Sequence, residues 1–416
     1  MWLLLISFHS EKIFLRRFLR SLIRRFFFNQ IDGQRSNISR YSVPKTQTFF
    51  GYYDKTPFSD GNEFLLAMSG PQHNKSPSNK DNLIIGFFDL KKTKNTFYPV
   101  GSTATWCWQQ GCRLQWFPNR SNNKIIYNHL VNGEYGSVIQ DINTKEIIRR
   151  YEFPIYDINS DGSWAISLNF SRLHRLRPGY GYNNFPDKTE NDPCPNNDGI
   201  WRMDLSSGER TLLLTLGTLA QINPLPSMAG AEHYINHLSF NPSGTRFLFF
   251  HLWLKNGKRF SRLFTCDLSG KNLYLLENEG IVSHYTWKTD NEILVFTYHN
   301  KLGSHYFLYT DKSSSKEILG KEHLCGDGHP SYNPENSLLL TDTYPDKYSE
   351  RKILLYLPGG SLNIIGSYFS PLDYTGDLRC DLHPRWDRTG KKICFDSAHE
   401  GLRCMYIIDL ENHEKS

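Results

Sequence analysis

Seven stretches of the chain repeat one pattern: a polar residue, a short apolar strand, a turn and a second apolar strand. The clearest copies are INHLSFNPSGTRFLFFHLW (235–253), GDGHPSYNPENSLLLTDTY (326–344) and CDLHPRWDRTGKKICFDSAH (380–399). Looser copies begin at Gly51, Trp106, Tyr156 and Ser283. Repeats of about 40–60 residues with four short strands each are typical of β-propeller blades. Seven copies predict an all-β, seven-bladed β-propeller.

The first 40 residues carry all of the net positive charge. They hold eight Lys/Arg and two Asp/Glu, so they account for the formal charge of +6, and residues 41–416 are neutral. Phosphate binding needs a concentrated basic surface, so a neutral ring argues against nucleic acid as the ligand. We therefore divide the chain into a basic segment, 1–40, and a seven-bladed propeller, 41–416.

Within the basic segment, EKIFLRRFLRSLIRRFFF (11–28) has the pattern of an amphipathic helix. The apolar side holds Ile13, Phe14, Phe18, Leu22 and Phe26, and the other side holds Arg16, Arg17, Arg20, Arg24 and Arg25. Such a helix lies in the interface of an anionic membrane, or it packs on the side of the propeller. No later segment is apolar for long enough to span a bilayer. The sequence predicts a cytoplasmic protein, peripheral on the inner face of the membrane, and leaves its oligomeric state open.

Eight scattered cysteines agree with a cytoplasmic location, because they form no compact disulfide framework and no CxxC zinc motif. Most are expected to be buried thiols. Cys394 and Cys404 are expected on adjacent strands, where they would be able to pair under oxidising conditions.

Two irregular stretches interrupt the repeats. Residues 177–199 (RPGYGYNNFPDKTENDPCPNNDG) are too many for a connecting turn and predict a lid or binding loop. Residues 217–234 join the third and fourth blades across one face. No Ser/Gly-rich or charged linker divides the ring.

Polar residues recur at the same two points of each repeat, where a propeller brings its blades together at the channel mouth. The blade starts carry Tyr52, Tyr53, Asp54, Lys55, Gln109, Gln110, Asp157, His237, His284, Asp327, His329, Arg379, Asp381 and His383. The second strands end at Asn128, His129, Asn169, Arg172, His251, His299, Asp342, Tyr344, Asp396 and His399. A single such residue, for example His284 or Asp157, usually hydrogen-bonds a blade turn. Two later motifs combine more acidic, imidazole, phenol and guanidinium side chains than folding requires. They are GDGHP (326–330) with TDTYPD (341–346), and RCDLHPRW (379–386) with FDSAHEG (395–401).

Two uses of this set stay open. In the first, His237, His251, His329 and His383, with an Asp or Gln, bind manganese, zinc or calcium. The metal, or one of Arg172, Arg379 and Arg385, then neutralises the carboxylate of a uronic acid unit and acidifies its α-proton. This permits β-elimination with a His or Tyr as general base or acid. A glycoside hydrolase is a less favoured prediction, because it needs two carboxylates that flank the glycosidic bond. In the second use nothing is catalysed, and Tyr52, Tyr53, Tyr180, Tyr182 and Tyr344 bind a sugar or a peptide.

HPSYNP (329–334) and HPRWDRTGKKICFDS (383–397) resemble the TolB-type propeller repeat. The histidine-bearing blades are similar to those of oligogalacturonate lyases and, more distantly, of propeller ulvan lyases, over residues 47–410. This resemblance implies a seven-bladed ring, a manganese ion held by histidines and a glutamine, and β-elimination of short uronide chains. Carried onto this chain, it implies His237, His329 and His383 as metal ligands and Gln110 as an amide ligand.

The sequence therefore predicts a metal-assisted lyase of an acidic oligo- or polysaccharide, with manganese favoured over calcium or zinc. The alternative is a non-catalytic propeller that binds a glycan or protein in membrane-associated assembly of surface polysaccharide. The predicted catalytic residues are His329, His383, Arg379, Asp381, Tyr344 and Arg172. The predicted substrate-binding residues are Tyr52, Tyr53, Asp54, Lys55, Asn128, Asn169, Tyr182, Asp342, Asp396 and His399. The predicted metal ligands are His237, His251, His329, His383 and Gln110.

Overall fold

The computed structural model describes residues 37–78, 80–92, 95–118 and 123–411. In these residues, strands form seven four-stranded sheets, and every neighbouring pair of strands is antiparallel. Strands follow one another through each sheet in chain order, apart from the last sheet, which also takes in the first strand. The predicted all-β fold with seven blades is confirmed.

The chain enters the ring with β1 (Ile38–Tyr41). Blade 1 consists of β2 (Gln47–Phe49), β3 (Phe64–Gly70), β4 (Leu83–Asp89) and β5 (Phe97–Thr103). Blade 2 consists of β6 (Gln115–Trp116), β7 (Lys124–Val131), β8 (Glu134–Asp141) and β9 (Ile147–Tyr151). Blade 3 consists of β10 (Asp157–Ile158), β11 (Trp164–Ser167), β12 (Gly199–Asp204) and β13 (Arg210–Thr215).

Blade 4 consists of β14 (Glu232–Phe240), β15 (Arg246–Lys255), β16 (Lys258–Asp267) and β17 (Tyr274–Glu277). Blade 5 consists of β18 (Val282–Trp287), β19 (Glu292–His299), β20 (Gly303–Thr310) and β21 (Lys316–Leu319). Blade 6 consists of β22 (Ser331–Tyr332), β23 (Leu339–Asp342), β24 (Glu350–Tyr356) and β25 (Leu362–Phe369). Blade 7 has β26 (Arg385–Trp386), β27 (Lys392–Ser397) and β28 (Cys404–Asp409).

The outermost strand of blade 7 comes from the other end of the chain. β1 pairs antiparallel with β28, from Ile38 opposite Ile408 to Tyr41 opposite Met405. This pairing ties the first blade to the last and closes the ring. The propeller therefore begins with Ile38, within the segment that the sequence assigned to the basic region. The helix predicted over 11–28 lies outside the described residues.

The conformation of the blade turns explains why Asn, Asp and Gly recur between the two apolar strands of each repeat. The turn between the first two strands of a blade needs a residue with positive φ, which is 72° at Gly244, 56° at Asn336 and 71° at Gly390. Glycine and asparagine adopt this left-handed conformation most readily. The strands on either side are buried on both faces because each blade packs between two others; eight consecutive residues of β15 are buried, for example.

Two short helices lie in and after blade 3, where the sequence predicts no helix. α1 (Phe170–Leu176) begins after Asn169, whose side chain accepts a hydrogen bond from the Arg172 amide. α2 (Leu216–Gln221) is capped in the same way by Thr215. Short 3₁₀ turns occur at Pro226–Met228 and Gly376–Leu378. Among the described residues, no helix is both long and apolar enough to cross a membrane.

All eight cysteines are free thiols. Cys394 and Cys404 do lie on adjacent strands, β27 and β28. The register places Cys394 opposite Ile407 and Cys404 opposite Ser397, so the two sulfurs do not face each other. The register therefore does not place the two thiols for the pairing that the sequence allows under oxidising conditions.

Candidate functional site

The starts of blades 6 and 7 place two histidines side by side in the channel. His329 precedes β22 by two residues and His383 precedes β26 by two, so both residues stand at the same position of the repeat. Their ring centroids are 4.3 Å apart, with the ring planes nearly perpendicular. Both residues are buried, at 1% and 3% exposure. The blade repeat thus creates an imidazole pair from residues 54 positions apart in sequence.

One nitrogen of each imidazole is fixed by the protein and the other has no partner. His329 Nδ1 lies 2.7 Å from Asp342 Oδ1, and His383 Nδ1 lies 2.7 Å from the carbonyl oxygen of Gly51. A carbonyl only accepts, so His383 Nδ1 carries the proton and Nε2 presents its lone pair; the carboxylate favours the same tautomer in His329. Both Nε2 atoms are buried without a hydrogen-bond partner. Histidines oriented in this way are typical metal ligands.

Asp381 completes a group that fits a divalent cation. Its Oδ2 lies 3.9 Å from His383 Nε2, and one donor atom each from His329, Asp381 and His383 lies within 4.8 Å of the others. Two imidazoles and a carboxylate suit manganese or zinc better than calcium, which prefers oxygen ligands. Burial opposes ionisation of Asp381, but the charges of Arg379 and Arg351 hold its pKa well below the usual value. The carboxylate is therefore charged at neutral pH.

Asp342 joins the two blades beneath this group. Its Oδ1 accepts hydrogen bonds from the His329 amide at 2.9 Å and from the His329 ring, and its Oδ2 accepts from the His383 amide at 3.2 Å. The Asp342 side chain is fully buried. The sequence predicts it as a substrate-binding residue, whereas the structure gives it the position of a support for both imidazoles.

The backbone is strained at two histidines of the channel, His237 and His383. φ is 44° at His383 and 56° at His237, in the left-handed region that few residues other than glycine adopt. His383 also precedes Pro384, which further restricts its backbone. Strain of this kind is held in place by surrounding contacts and occurs preferentially at functional sites.

Tyr52 separates the remaining predicted ligands from this pair. Its ring stacks on His237 with centroids 5.0 Å apart and meets His383 edge-on at 4.9 Å, and its hydroxyl lies 3.4 Å from His237 Nε2. Gln110 belongs with His237, because its Nε2 donates to Tyr156 Oη at 2.8 Å and it contacts Asn236. The Gln110 Oε1 atom is buried without a partner. His237 and Gln110 thus lie on the far side of Tyr52 from His329 and His383.

The structure does not bring His251 or Arg172 to the cluster. His251 lies inside blade 4, with Nε2 2.9 Å from His233 Nδ1 and with Nδ1 accepting from Arg262 Nε at 3.1 Å. Both of its nitrogens are therefore occupied. Arg172 donates to the carbonyl oxygens of His233 at 2.7 Å and Pro193 at 2.8 Å, so it holds the insertion after β11 in place.

Four further residues surround the imidazole pair at the mouth. His284 Nδ1 lies 2.9 Å from Asp327 Oδ1, and the His284 ring is 4.2 Å from that of His329. Tyr344 is 38% exposed and 5.9 Å from His329, centroid to centroid. Arg379 donates to Asp381 Oδ2 at 2.6 Å and to Tyr180 Oη at 2.5 Å. Sequence reasoning gave His284 a structural role, although its blade-start position was the available signal.

Several predicted binding residues lie away from the mouth. Asp54 is paired with Arg113 at 2.7 Å, and Lys55 is paired with Asp157. Asp54 and Lys55 line a cavity of about 410 Å³ with Asn159 and other residues of the turns after the first strands. They therefore face the opposite end of the channel from the imidazole pair.

The other predicted binding residues have structural contacts. Asn128 donates to Tyr182 Oη at 2.9 Å between blades 2 and 3, and both residues are fully buried. Asn169 caps α1. Asp396 accepts from the amide of Gly51 at 3.3 Å and pairs with Arg385, so it supports the carbonyl that binds His383. His399 contacts Ser397 at 2.8 Å on blade 7.

The fold is similar to that of solved oligogalacturonate lyases. The enzyme from Vibrio parahaemolyticus is 13% identical, with a TM-score of 0.62 over 89% of this chain and 93% of that chain. An oligogalacturonate lyase in complex with manganese is 15% identical, with a TM-score of 0.64 over 90% of this chain and 93% of that one. TolB from Acinetobacter baumannii is 14% identical, with a TM-score of 0.42 over 86% and 81%.

No protein-family model matches the chain, and no curated protein sequence matches it. The resemblance to oligogalacturonate lyases that the sequence predicts is confirmed as a likeness of fold by the two solved lyase structures. At these identities it establishes the fold and leaves the chemistry to be argued from the site.

Proposed function

We propose that this propeller is a metal-assisted lyase that cleaves a uronic acid glycan by β-elimination at the channel mouth. The observation that carries the proposal is the pair of buried Nε2 atoms of His329 and His383, which have no protein partner and converge on Asp381. Leaving two buried polar atoms unpaired costs about 1–3 kcal/mol each, and a bound cation removes that cost. A non-catalytic blade turn has no need of this arrangement.

Residues of this chain take the other roles in the reaction. A divalent ion on His329, His383 and Asp381 would supply charge that neutralises the substrate carboxylate and acidifies the proton on the adjacent carbon. Arg379, whose planar guanidinium fits a carboxylate, binds the same acidic group. Burial lowers the pKa of His284, so its imidazole is neutral and is able to accept that proton.

The electron pair of the broken C–H bond forms a carbon–carbon double bond, and the glycosidic C–O bond breaks. Tyr344 donates its phenolic proton to the leaving oxygen, since a phenol is protonated at neutral pH. The proton held by His284 then returns to the Tyr344 phenolate through solvent. The products are an unsaturated uronide and a shortened chain, and no oxidant or water is consumed.

The fold supports the same proposal, because a structural neighbour is an oligogalacturonate lyase in complex with manganese. Manganese is accordingly the first metal to test, with zinc second. The low identity leaves the glycan itself to experiment.

The test is an ultraviolet assay for unsaturated uronides on a panel of uronic acid polysaccharides with added manganese. We expect activity in the wild type and a loss of about 10²–10⁴-fold in His284→Ala. His323→Ala, an exposed histidine outside the site, is the matched control. Absence of unsaturated product from every glycan in the panel would reject the lyase.

A second candidate function is a non-catalytic propeller that binds a glycan in a membrane-associated assembly. It is favoured by the ring of Tyr52, which is 3% exposed and meets the His383 ring edge-on at 4.9 Å, because this ring covers one side of the imidazole pair. This function predicts glycan binding that survives removal of metal by a chelator. The lyase predicts that chelation abolishes turnover.

A further inference from the structure

A cavity of about 870 Å³ lies between blades 2 and 3. Its walls are the turn between β7 and β8, the link after β9, the end of β11, part of β12 and part of the 177–199 insertion. No described residue of the group around His329 and His383 lines it. This blade 2–3 cleft has the size of a small-molecule site, which is usually about 300–1,000 Å³.

One wall of the cleft belongs to the 177–199 insertion, and contacts with the blades hold that wall in place. The Phe185 amide donates to Tyr135 Oη at 3.2 Å, and the Thr189 carbonyl oxygen accepts from Arg172 Nη1 at 3.0 Å. A wall that is already ordered loses little conformational entropy when a ligand binds. The insertion, predicted from its length as a lid or binding loop, thus borders a preformed cavity.

Four partly buried aromatic side chains line the cleft in two pairs. The ring centroids of Phe153 and Trp201 are 5.5 Å apart, and those of Tyr135 and Phe185 are 4.9 Å apart. The guanidinium carbon of Arg210 lies 4.9 Å from the Phe153 centroid and 5.8 Å from the Trp201 centroid. Aromatic rings offer large apolar contact areas to a ligand, while the arginine repels a cation from the first pair.

Carboxylates line the cleft as well. Glu134 pairs with Lys188 at 2.8 Å, Glu152 accepts from Asn132 Nδ2 at 2.6 Å, and Glu209 is exposed. These carboxylates repel an anion, as the arginine repels a cation. A hydroxyl group both donates and accepts hydrogen bonds, so it is able to pair with a carboxylate and with a guanidinium. The lining therefore fits a neutral ligand that is rich in hydroxyl groups.

We infer that the blade 2–3 cleft is a second carbohydrate site, which binds a neutral oligosaccharide. The C–H faces of the sugar rings pack on the two aromatic pairs, and the hydroxyl groups bond to Glu152, Glu209 and Arg210. The acidic glycan proposed for the channel mouth does not fit this cleft, because its carboxylates would face those of the protein. The inference is therefore independent of the proposed lyase.

The test is calorimetric titration of the full chain with cellotriose, mannotriose and chitotriose, and with trigalacturonic acid for comparison. We expect at least one neutral trisaccharide to bind, and Trp201→Ala to bind it at least about tenfold more weakly, because the ring that packs on the sugar is gone. Glu209→Gln, a change at an exposed position that leaves the packing of the blade intact, should bind about three- to tenfold more weakly, because a charged acceptor makes the stronger hydrogen bond.

Trp164→Ala is the matched control. Trp164 is also half-buried in blade 3 and lies under an arginine, Arg202, at 4.6 Å, but it does not line the cleft. This variant should bind the neutral sugar like the wild type. Equal weakening in Trp164→Ala and Trp201→Ala, or wild-type affinity in both Trp201→Ala and Glu209→Gln, would overturn the inference.

The ligands themselves separate the remaining outcomes. Binding of trigalacturonic acid alone overturns the neutral site and leaves the proposed lyase intact. If no trisaccharide binds but a decaproline peptide does, the cleft is a peptide site and the inference falls. Absence of binding by every neutral trisaccharide at millimolar concentration also overturns it.

Discussion

The histidines of this chain differ in what their ring nitrogens contact. His329 and His383 each bond through Nδ1 and leave Nε2 unpaired, whereas His251 has both nitrogens occupied. The sequence predicts all three as metal ligands, because all stand at repeated positions of the blade pattern. Whether a residue at the end of a second strand reaches the channel depends on strand length and blade twist, which sequence spacing does not reveal.

At the same scale, Asp342→Asn should weaken metal binding without unfolding the ring. The asparagine side chain would keep the shape of the aspartate but lose the charge that orients His329 Nδ1–H and one of the two oxygens that accept from backbone amides. Loss of such a supporting carboxylate typically costs about 10–100-fold in metal affinity. Manganese titration followed by calorimetry measures the change.

Asp373→Asn, at an exposed position, is the control for that experiment and should bind manganese like the wild type. Unchanged affinity in Asp342→Asn would show that the carboxylate does not support a metal site.

At the scale of elements, the blades follow from the sequence more directly than the insertion does. Gly244 and Gly390 mark turns, and alternating apolar residues on either side mark strands, so seven copies predict seven blades. α1 is only seven residues long, too short to show a helical period in the sequence. Tyr180, whose hydroxyl accepts a hydrogen bond from Arg379, therefore falls in a segment predicted as loop, and its place beside Arg379 depends on how that loop packs.

Contacts between blades predict a pH-dependent stability. Glu277 of β17 accepts from Tyr309 Oη at 2.6 Å and pairs with Lys316 at 2.9 Å, both in blade 5. Burial opposes ionisation, but these two partners hold the pKa of Glu277 below its ordinary value. The stabilisation is therefore present above the unfolded pKa of about 4.3 and is lost as the pH falls through the lower folded pKa.

Glu277→Gln should accordingly lower the free energy of unfolding by about 1–3 kcal/mol at neutral pH. The difference from the wild type should shrink as the solution is acidified toward the pKa of the folded carboxyl. Urea unfolding at a series of pH values measures it, with the exposed Glu335→Gln as control. A difference that stays constant down to the lowest pH would mean that the Glu277 charge is not involved.

At the scale of the whole molecule, the ring is closed by a strand that the sequence pattern does not predict. β1 is four residues long, ISRY, and its side chains are half-buried or exposed, so it lacks the apolar alternation of the other strands. Its pairing with β28 is a contact between chain ends, which only the closed ring creates. For this reason the sequence predicts the number of blades but not where the propeller begins.

We propose that residues 11–28 hold the ring at an anionic membrane surface. Deleting residues 1–30 leaves β1 in place, so the melting temperature of the ring should not change. The shortened protein should no longer sediment with anionic vesicles, because the arginines and apolar side chains of the segment are gone. Vesicles of neutral lipid are the control, and undiminished sedimentation of the shortened protein would refute the anchor.

The most direct test of the central claim is the metal content of the full chain. The protein is loaded with manganese, freed of excess ion and measured by mass spectrometry, beside His383→Ala and His323→Ala. The account predicts about one ion per chain in the wild type and in His323→Ala, and loss of the ion in His383→Ala with an unchanged thermal melt. No retained metal in the wild type, or equal metal in His383→Ala, would contradict it.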